Sequence, residues 1–255
     1  MPPAKPDIHI VADAEELSWA AAEEFVRRAG EAVRARGGFT VALSGGSTPK
    51  SLYALLAREG AESFRAQVPW DKIHFFWEDE RHVPPDHPDS NYHMAHEALL
   101  AKVPVPVANV HRIKTEDSDA RRVADEYAQE LRAFFRLVRE QQPRFDLVLL
   151  GMGPDGHTAS LFPGADAVHE QTRLVVALWV EQFKSYQVTL TPPVLNNAAC
   201  VTFLVSGEEK AETLRAAPED DYQPDRFPSQ AIRPLQGRLL RLVDGAAARL
   251  VRRGG

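Results

Sequence analysis

Residues 39–56 read FTVALSGGSTPKSLYALL, and this stretch decides the fold class. Its first five residues, 39–43, have the character of a buried strand. A polar, glycine-rich loop over 44–48 follows, and leucines at helical spacing come after Pro49. A strand, loop and helix in this order build sheets with parallel strands, because a helix must carry the chain back before the next strand begins.

The alternation of strand and helix continues on both sides of this unit. We predict a first helix whose apolar positions are Leu17, Ala21, Phe25 and Ala29 and which ends at Gly37-Gly38. Further helices are predicted around 92–100 and 123–138. Predicted strands cover residues 8–11, 73–77, 145–150, 174–180, 187–190, 200–205 and 238–243. The pattern predicts an α/β fold over residues 1–255: a single doubly wound domain with a largely parallel sheet and helices on both faces.

Composition and charge argue against several classes of function. The formal net charge of −6 opposes a general attraction to nucleic acid or to anionic membranes. No stretch approaches the ~20 apolar residues that cross a bilayer, and the N-terminus lacks the apolar core of a signal peptide. Cys200 is the only cysteine, which excludes an internal disulfide and a cysteine-based metal site. We expect a cytoplasmic protein; its oligomeric state is not readable, and a monomer is the working hypothesis.

Three polar segments each follow a predicted strand, at the sheet edge where α/β proteins bind ligands. The first, 44–48, suits a phosphate or a sugar oxygen, because glycines allow close approach and a helix terminus offers free N–H groups. Thr48 is the expected N-cap and Pro49 the expected first helical residue. The alternative is a tight, capped turn that needs no ligand.

The second segment, 78–82, contains five ionisable side chains in a row. Arg81 is suited to hold a phosphate or a carboxylate through two parallel hydrogen bonds. The neighbouring carboxylates would then support Arg81 or bind sugar hydroxyls. The alternative is a solvated charged loop, which is the usual fate of such a run.

The third segment, 151–156, matches the G-x-G-x-x-G pattern of dinucleotide-binding proteins. We reject that interpretation because Pro163-Gly164 ends any helix early and Glu170 precedes the next predicted strand instead of ending it. His157 instead suits a general base, since an imidazole titrates near neutral pH and takes a proton from an attacking water. Asp155 would orient the ring. The alternative is a turn histidine bonded to the backbone.

Taken together, four segments resemble the 6-phosphogluconolactonase family. They are VALSGGSTPKSLY (41–53), FFWEDERHVPPDHPDSNY (75–92), DLVLLGMGPDGHTASLFPG (146–164), and Lys184 with TLTPPVLN (189–196). The resemblance implies hydrolysis of 6-phosphoglucono-1,5-lactone to 6-phosphogluconate in the oxidative pentose phosphate pathway. It also implies a phosphorylated sugar lactone as the small-molecule partner, no redox cofactor and no required metal.

The resemblance also implies roles for individual residues. His157 would be the general base and Asp155 its partner, while Arg81 and Lys184 would bind the phosphate. The residues that we expect at the substrate are Gly45, Gly46, Ser47, Thr48, Asp79, Arg81, Gly153 and Lys184. The family often has an arginine three residues after the lysine, where this chain has Gln187. A neutral amide supplies no charge, which puts the tightness of phosphate binding in question.

Other functions stay open beside this one. Glucosamine-6-phosphate deaminase/isomerases are similar at Asp79 and at 155–157, but they place a glutamate five residues beyond the histidine, where this chain has Phe162. An apolar ring relays no proton, so that chemistry lacks a participant. A non-catalytic sugar-phosphate sensor would keep the pocket without turnover, and the Asp155 and His157 pair counts against it. Arg81 and Lys184 count against an unphosphorylated lactone as substrate.

Overall fold

In the computed structural model, which describes residues 7–60, 63–219 and 222–251, a parallel sheet lies at the centre of the fold. Its strands are β1 (Asp7–Val11), β2 (Phe39–Leu43), β3 (Ile73–Trp77), β5 (Val110–His111), β6 (Leu147–Leu150), β9 (Cys200–Val205) and β10 (Arg238–Asp244). They are ordered β1-β10-β9-β6-β2-β3-β5, and every neighbouring pair is parallel. This confirms the parallel sheet predicted from the sequence. The single domain over 1–255 includes residues outside the described ranges and stays a prediction.

The strand order reverses between β2 and β6. From β2 the chain moves outward through β3 to β5; it then returns to β6 and moves the other way through β9 to β10. Val41 of β2 lies opposite Leu147 of β6, so these two strands are direct neighbours. Open α/β sheets bind ligands beyond the carboxyl ends of their strands at such a reversal. The loops after β2 and β6 therefore meet where a ligand site is expected.

Helices pack on both faces of this sheet, as predicted. They are α1 (Ala14–Arg36), α2 (Ser47–Leu56), α3 (Phe64–Gln67), α4 (Asn91–Ala98), α5 (Ala120–Phe134), α6 (Pro192–Asn196) and α7 (Ala211–Glu219). On one face, the ring of Phe39 in β2 lies 5.5 Å from that of Phe25 in α1. Phe39 is paired with Ile73, and Phe76 is three residues further along β3, so Phe76 points to the opposite face. There its ring meets Phe134 of α5 at 5.0 Å.

The ends of α1 and α5 illustrate where local sequence suffices and where it does not. Gly37 ends α1 as predicted, with a left-handed φ of 78° and its N–H donating to the Val33 carbonyl. The helix predicted to reach Val138 ends instead at Phe134. The backbone turns at Arg136, whose φ is 52°, and Val138 beyond it is 64% exposed. The apolar spacing thus continues past the true end of the helix.

The start of α2 also differs from the prediction. The helix begins at Ser47 and not at Pro49, and Gly46, not Thr48, is the residue before it. Gly46 has a φ of 98°, a conformation that a residue with a Cβ avoids, so the chain has already turned into the helix before Thr48. Pro49 still lies in the first turn, where its missing N–H would have no helical partner.

Three further strands form a separate antiparallel sheet that the alternation does not predict. They are β4 (Asp79–Arg81), β7 (Val175–Val180) and β8 (Ser185–Leu190), in the order β4-β8-β7. The charged segment after β3 is therefore largely a strand, paired with β8 from Asp79 to Arg81. Glu78, Asp79 and Glu80 are only 1%, 6% and 2% exposed. The alternative of a solvated charged loop is wrong, because backbone pairing with β8 holds these carboxylates inside.

A histidine pair joins β3 and β5 at the edge of the main sheet. His74 Nδ1 lies 3.1 Å from His111 Nε2, and His111 Nδ1 lies 2.9 Å from the carboxylate of Glu130 in α5. Burial, together with the neighbouring His111, lowers the pKa of His74 below its ordinary value. The folded protein therefore takes up a proton at His74 less readily than the unfolded chain does.

This difference predicts a pH dependence of stability. As pH falls through about 6.5, the unfolded chain is protonated at His74 first, so the free energy of unfolding decreases by at most about 1.4 kcal/mol per pH unit from this group. We expect His74→Asn to remove that component. Urea unfolding at pH 7.5, 6.5 and 5.5 should show a steeper loss for the wild type than for the variant. Parallel losses would contradict the assignment to His74.

Candidate active site

A cavity of about 240 Å³ lies beyond the carboxyl ends of β2 and β6, at the reversal of strand order. Four loops form it, which follow β2, β3, β6 and β9. Its lining residues are Ser44, Gly45, Gly46, Ser47, Thr48, Pro49, Glu78, Asp79, Arg81, Asn91, Gly151, Met152, Gly153, Pro154, His157, Ala159, Leu204, Ser206, Glu209 and Lys210. The three loops singled out in the sequence thus meet at one site, as predicted.

The loop after β2 brings backbone close to the cavity. A Cβ on Gly45 would lie 2.0 Å from Asn91 Oδ1, so only glycine fits beside this amide. Gly46 turns the chain into α2, and Ser47 and Thr48 in the first turn line the cavity. First-turn N–H groups have no partner within their own helix, and the helix dipole is positive at this end. This edge of the cavity therefore suits an anion.

The loop after β6 carries the histidine and its carboxylate. His157 Nδ1 lies 2.6 Å from Asp155 Oδ1, and the backbone N–H of His157 donates to the same oxygen. In the neutral ring this contact places the proton on Nδ1, which leaves Nε2 with a free lone pair. His157 lines the cavity, whereas Asp155 does not. The pair has the arrangement of a general base and the group that orients it.

Close backbone contacts fix this loop. Gly153 N–H donates to the His157 carbonyl at 2.8 Å, and a Cβ on Gly153 would lie 2.1 Å from His157 Nδ1. Two later segments of the chain also hold the loop: Thr213 Oγ1 donates a hydrogen bond to the Pro154 carbonyl, and Ser229 N–H donates one to the Gly156 carbonyl. No helix follows the loop: residues 157–165 are turns and an isolated bridge. The long helix that a dinucleotide-binding loop requires is therefore not formed by residues 157–165, which agrees with rejecting that interpretation.

Asp79 sits at the floor of the cavity in a network of polar side chains. Its carboxylate accepts hydrogen bonds from Asn91 Nδ2 at 2.6 Å and from Ser160 Oγ at 2.7 Å. Burial raises the pKa of Asp79, and the nearby Arg81 guanidinium opposes that rise. Gln187, 2% exposed, lies 2.6 Å from Ser160 Oγ and does not line the cavity. The glutamine that stands here in place of the family's arginine therefore belongs to the residues that support Asp79 and not to the cavity wall.

Arg81 and Glu80 connect this segment to the start of α4. Glu80 accepts hydrogen bonds from the N–H groups of Asn91 and Tyr92 in the first turn of that helix, and burial raises its pKa to about 7. Arg81 donates one guanidinium N–H to the Asp89 carbonyl at 2.7 Å and lines the cavity. The guanidinium is held by a neutral oxygen, so its charge is not cancelled by an ion pair in the described residues.

Lys184, which was expected at the substrate, is not among the residues that line the cavity, and a lysine that was not predicted is. Lys184 is exposed, in the turn between β7 and β8, and does not line the cavity. Its neighbour Phe183 has its ring 6.1 Å from that of Phe162, which in turn lies 4.7 Å from the His157 ring. Lys210, which the sequence reasoning missed, lines the cavity from the loop after β9. Its position after an apolar strand was the available signal.

Across residues 7–60, 63–219 and 222–251, no group of three or more His, Cys, Asp or Glu side chains is arranged to hold a metal ion. No helix in the described ranges is both long and apolar enough to span a membrane.

Comparison with known proteins gives consistent matches. A family model described as glucosamine-6-phosphate isomerases/6-phosphogluconolactonase matches residues 12–241. A 6-phosphogluconolactonase from Nostoc sp. is 43% identical over 216 residues, covering 85% of this chain and 86% of that protein. One from Synechocystis sp. is 44% identical over 224 residues, covering 87% and 88%. The structure of 6-phosphogluconolactonase from Trypanosoma cruzi superposes with a TM-score of 0.86 at 31% identity, covering 99% of this chain and 100% of that one.

Proposed function

The chain belongs to the glucosamine-6-phosphate isomerase/6-phosphogluconolactonase family, and we propose on that basis that it hydrolyses 6-phosphoglucono-1,5-lactone to 6-phosphogluconate in the oxidative pentose phosphate pathway. The observation that carries the proposal is that His157, paired with Asp155 at 2.6 Å, lines a cavity whose edge at the start of α2 suits an anion. We further propose that the enzyme is cytoplasmic, a monomer, and one domain over residues 1–255.

In this proposal His157 is the general base. Its Nε2 takes a proton from a water molecule while the water oxygen attacks the lactone carbonyl carbon. The imidazolium that forms is stabilised by the Asp155 carboxylate at Nδ1, and the proton then passes to the ring oxygen as the acyl–oxygen bond breaks. A lactone is an activated ester, so a general base alone supplies a useful acceleration.

The phosphate is held, we propose, in the part of the cavity lined by Arg81, Lys210 and the start of α2. Arg81 and Lys210 supply positive charge there, and the N–H groups at the start of α2 supply donors. The loop residues Gly45, Gly46, Ser47 and Thr48 allow the ligand to approach the backbone, while Asp79 binds a sugar hydroxyl and Gly153 leaves room beside His157. Lys184, exposed in the turn between β7 and β8, attracts the dianionic substrate through longer-range charge interactions.

Removing Arg81 should distinguish a phosphorylated substrate from an unphosphorylated one. We expect Arg81→Ala to raise KM for 6-phosphogluconolactone by roughly 10–100-fold, because a charge-assisted hydrogen bond contributes about 1.5–3 kcal/mol. The rate constant kcat/KM for glucono-1,5-lactone should change by less than about threefold. Equal losses for both lactones would remove the phosphate role from Arg81.

The two lysines offer a matched pair for the same assay. Lys210→Ala should raise KM several-fold at all salt concentrations, since Lys210 lines the cavity. Lys184→Ala should raise KM only at low ionic strength, because exposed charges act through solvent that salt screens. A larger, salt-independent effect at Lys184 would show direct contact from the hairpin turn.

The test of the function itself is turnover of freshly made 6-phosphogluconolactone, followed above its spontaneous hydrolysis. Rapid turnover by the wild type, with none of glucosamine 6-phosphate, is the expected result. Conversion of glucosamine 6-phosphate would favour the deaminase/isomerase alternative, in which Phe162 stands where the reaction needs a proton carrier. Binding of 6-phosphogluconate without turnover of either compound would indicate a sensor.

A further inference from the structure

Glu78 is a buried carboxyl group in the cavity wall to which the proposed mechanism gives no part. Its backbone belongs to the join between the two sheets: its N–H donates to the Leu43 carbonyl and its carbonyl accepts from Leu190 N–H. In the side chain, Oε1 lies 2.7 Å from Ser44 Oγ. The other oxygen, Oε2, is buried and has no hydrogen-bond partner among the described residues.

The surroundings of Glu78 favour its neutral form. Burial raises the pKa of Glu78 well above its ordinary value, the Asp79 carboxylate raises it further, and Ser44 and Arg81 only partly oppose this. A carboxylate with one hydroxyl donor, 1% exposed and beside a second carboxylate, is poorly solvated. The charged and titratable groups around it are Asp79, Glu80 and Arg81 on its own segment, Tyr53 from α2 and Tyr127 from α5.

The proton on Glu78 decides what the Ser44 hydroxyl does. A serine hydroxyl has a single proton to donate. When Glu78 is ionised, Ser44 donates that proton to Oε1. When Glu78 is neutral and donates across the same contact, the Ser44 proton is free for another acceptor. Ser44 lines the cavity, and its backbone is fixed by two hydrogen bonds with the Tyr53 hydroxyl, so the hydroxyl rotates while the chain stays in place.

We propose that Glu78 is a positioning residue that must hold a proton for the cavity to bind its anionic ligand at full affinity, because the neutral carboxyl turns the Ser44 hydroxyl toward the ligand and adds no negative charge to the wall. The identity of the ligand, a phosphorylated sugar acid or its lactone, rests on the proposed function. Binding is then linked to one proton. Once Glu78 is ionised in the free protein, affinity falls by up to about tenfold per pH unit.

The experiment is a calorimetric titration of the full chain with 6-phosphogluconate between pH 6.5 and 9.5. The product is used because the lactone opens spontaneously at alkaline pH. For the wild type, Kd should rise with pH, and the heat should depend on the ionisation enthalpy of the buffer, which reports proton uptake on binding. Glu78→Gln carries a permanent neutral donor, so its Kd should vary by less than about twofold above pH 8, where the ligand phosphate is fully ionised.

Two further variants separate Glu78 from its neighbours. Ser44→Ala should bind about tenfold more weakly at pH 7, the effect of one hydrogen bond to a charged group, and should differ less from the wild type at pH 9.5. Glu80→Gln removes another carboxyl of raised pKa, one that holds α4 and, unlike Asp79, does not line the cavity. The dependence of Kd on pH should have the same slope in Glu80→Gln as in the wild type. Circular dichroism checks that each variant is folded.

Each outcome bears on the proposal. The proposal is overturned if Kd depends on pH in the same way in the wild type and in Glu78→Gln. It is also overturned if the pH dependence disappears in Glu80→Gln and not in Glu78→Gln. A wild type that hydrolyses the lactone but shows no such linkage overturns this inference alone. A wild type that shows the linkage without turnover overturns the proposed function alone. Failure of the wild type to bind 6-phosphogluconate at any pH overturns both.

Discussion

Replacing His157 with alanine should lower kcat for 6-phosphogluconolactone by about 10²–10⁴-fold, the usual contribution of a positioned proton acceptor. The loss should appear mainly in kcat, because the Nε2 of His157 acts on the attacking water and not on the phosphate. The measurement is turnover at several substrate concentrations, corrected for spontaneous opening, with product affinity from titration. Unchanged turnover would keep the enzyme and remove His157 from this role.

The chain offers a matched control for this variant. His169 Nε2 lies 2.6 Å from Asp225 Oδ1, the same distance that separates His157 Nδ1 from Asp155 Oδ1, yet His169 does not line the cavity. His169→Ala should therefore keep wild-type kcat. The kcat of Asp155→Asn should lie between those of the wild type and His157→Ala. The ring remains, but it loses the carboxylate that fixes its proton on Nδ1 and stabilises its charged form.

Gly153→Ala should abolish most of the activity without removing any reacting group. A Cβ at this position would lie 2.1 Å from His157 Nδ1 and 2.5 Å from Asp155 Oδ1, far inside any van der Waals contact. Because the atoms in the way belong to the His157 ring and the Asp155 carboxylate, these two side chains have to move to admit the methyl group. We expect kcat to fall by at least about 10²-fold, since the oriented base is lost.

Gly151→Ala is the control for that result. Among the residues that the structure describes, its Cβ would meet only Ser44 Oγ, at 3.9 Å, which is an ordinary contact. It adds the same methyl group two residues away in the same loop, so kcat should stay within about threefold of wild type. Thermal unfolding of both variants separates lost geometry from lost folding. Near-wild-type activity in Gly153→Ala would show that the ring works without its present alignment.

The loops of the site were predictable because each begins where an apolar strand stops and polar or glycine residues start. The burial of Asp79 and Glu80 was not predictable in this way, because it depends on pairing between β4 and β8. In that pairing Asp79 lies opposite Thr189, 110 residues later in the chain. Lys210 was missed for a related reason. Its segment, Ser206 to Lys210, also follows an apolar strand, but only the order of the strands shows that β9 lies beside β6 and that this segment reaches the cavity. The local sequence was enough to predict the strands and the loops after them. Which strands lie side by side depends on pairing between segments that are far apart in the chain.

The placement of β1 has a consequence for how the protein folds during synthesis. This first strand pairs only with β10 in the described sheet, and Arg238 bonds to Asp7 across 231 positions. When β1 leaves the ribosome, its partner has not yet been made, and contacts of such long sequence separation form late. Until then one edge of β1 and the part of α1 that packs on β10 lack their native cover. Chaperone dependence of the nascent chain should therefore be greatest before residues 238–244 emerge, and it should decline sharply afterwards.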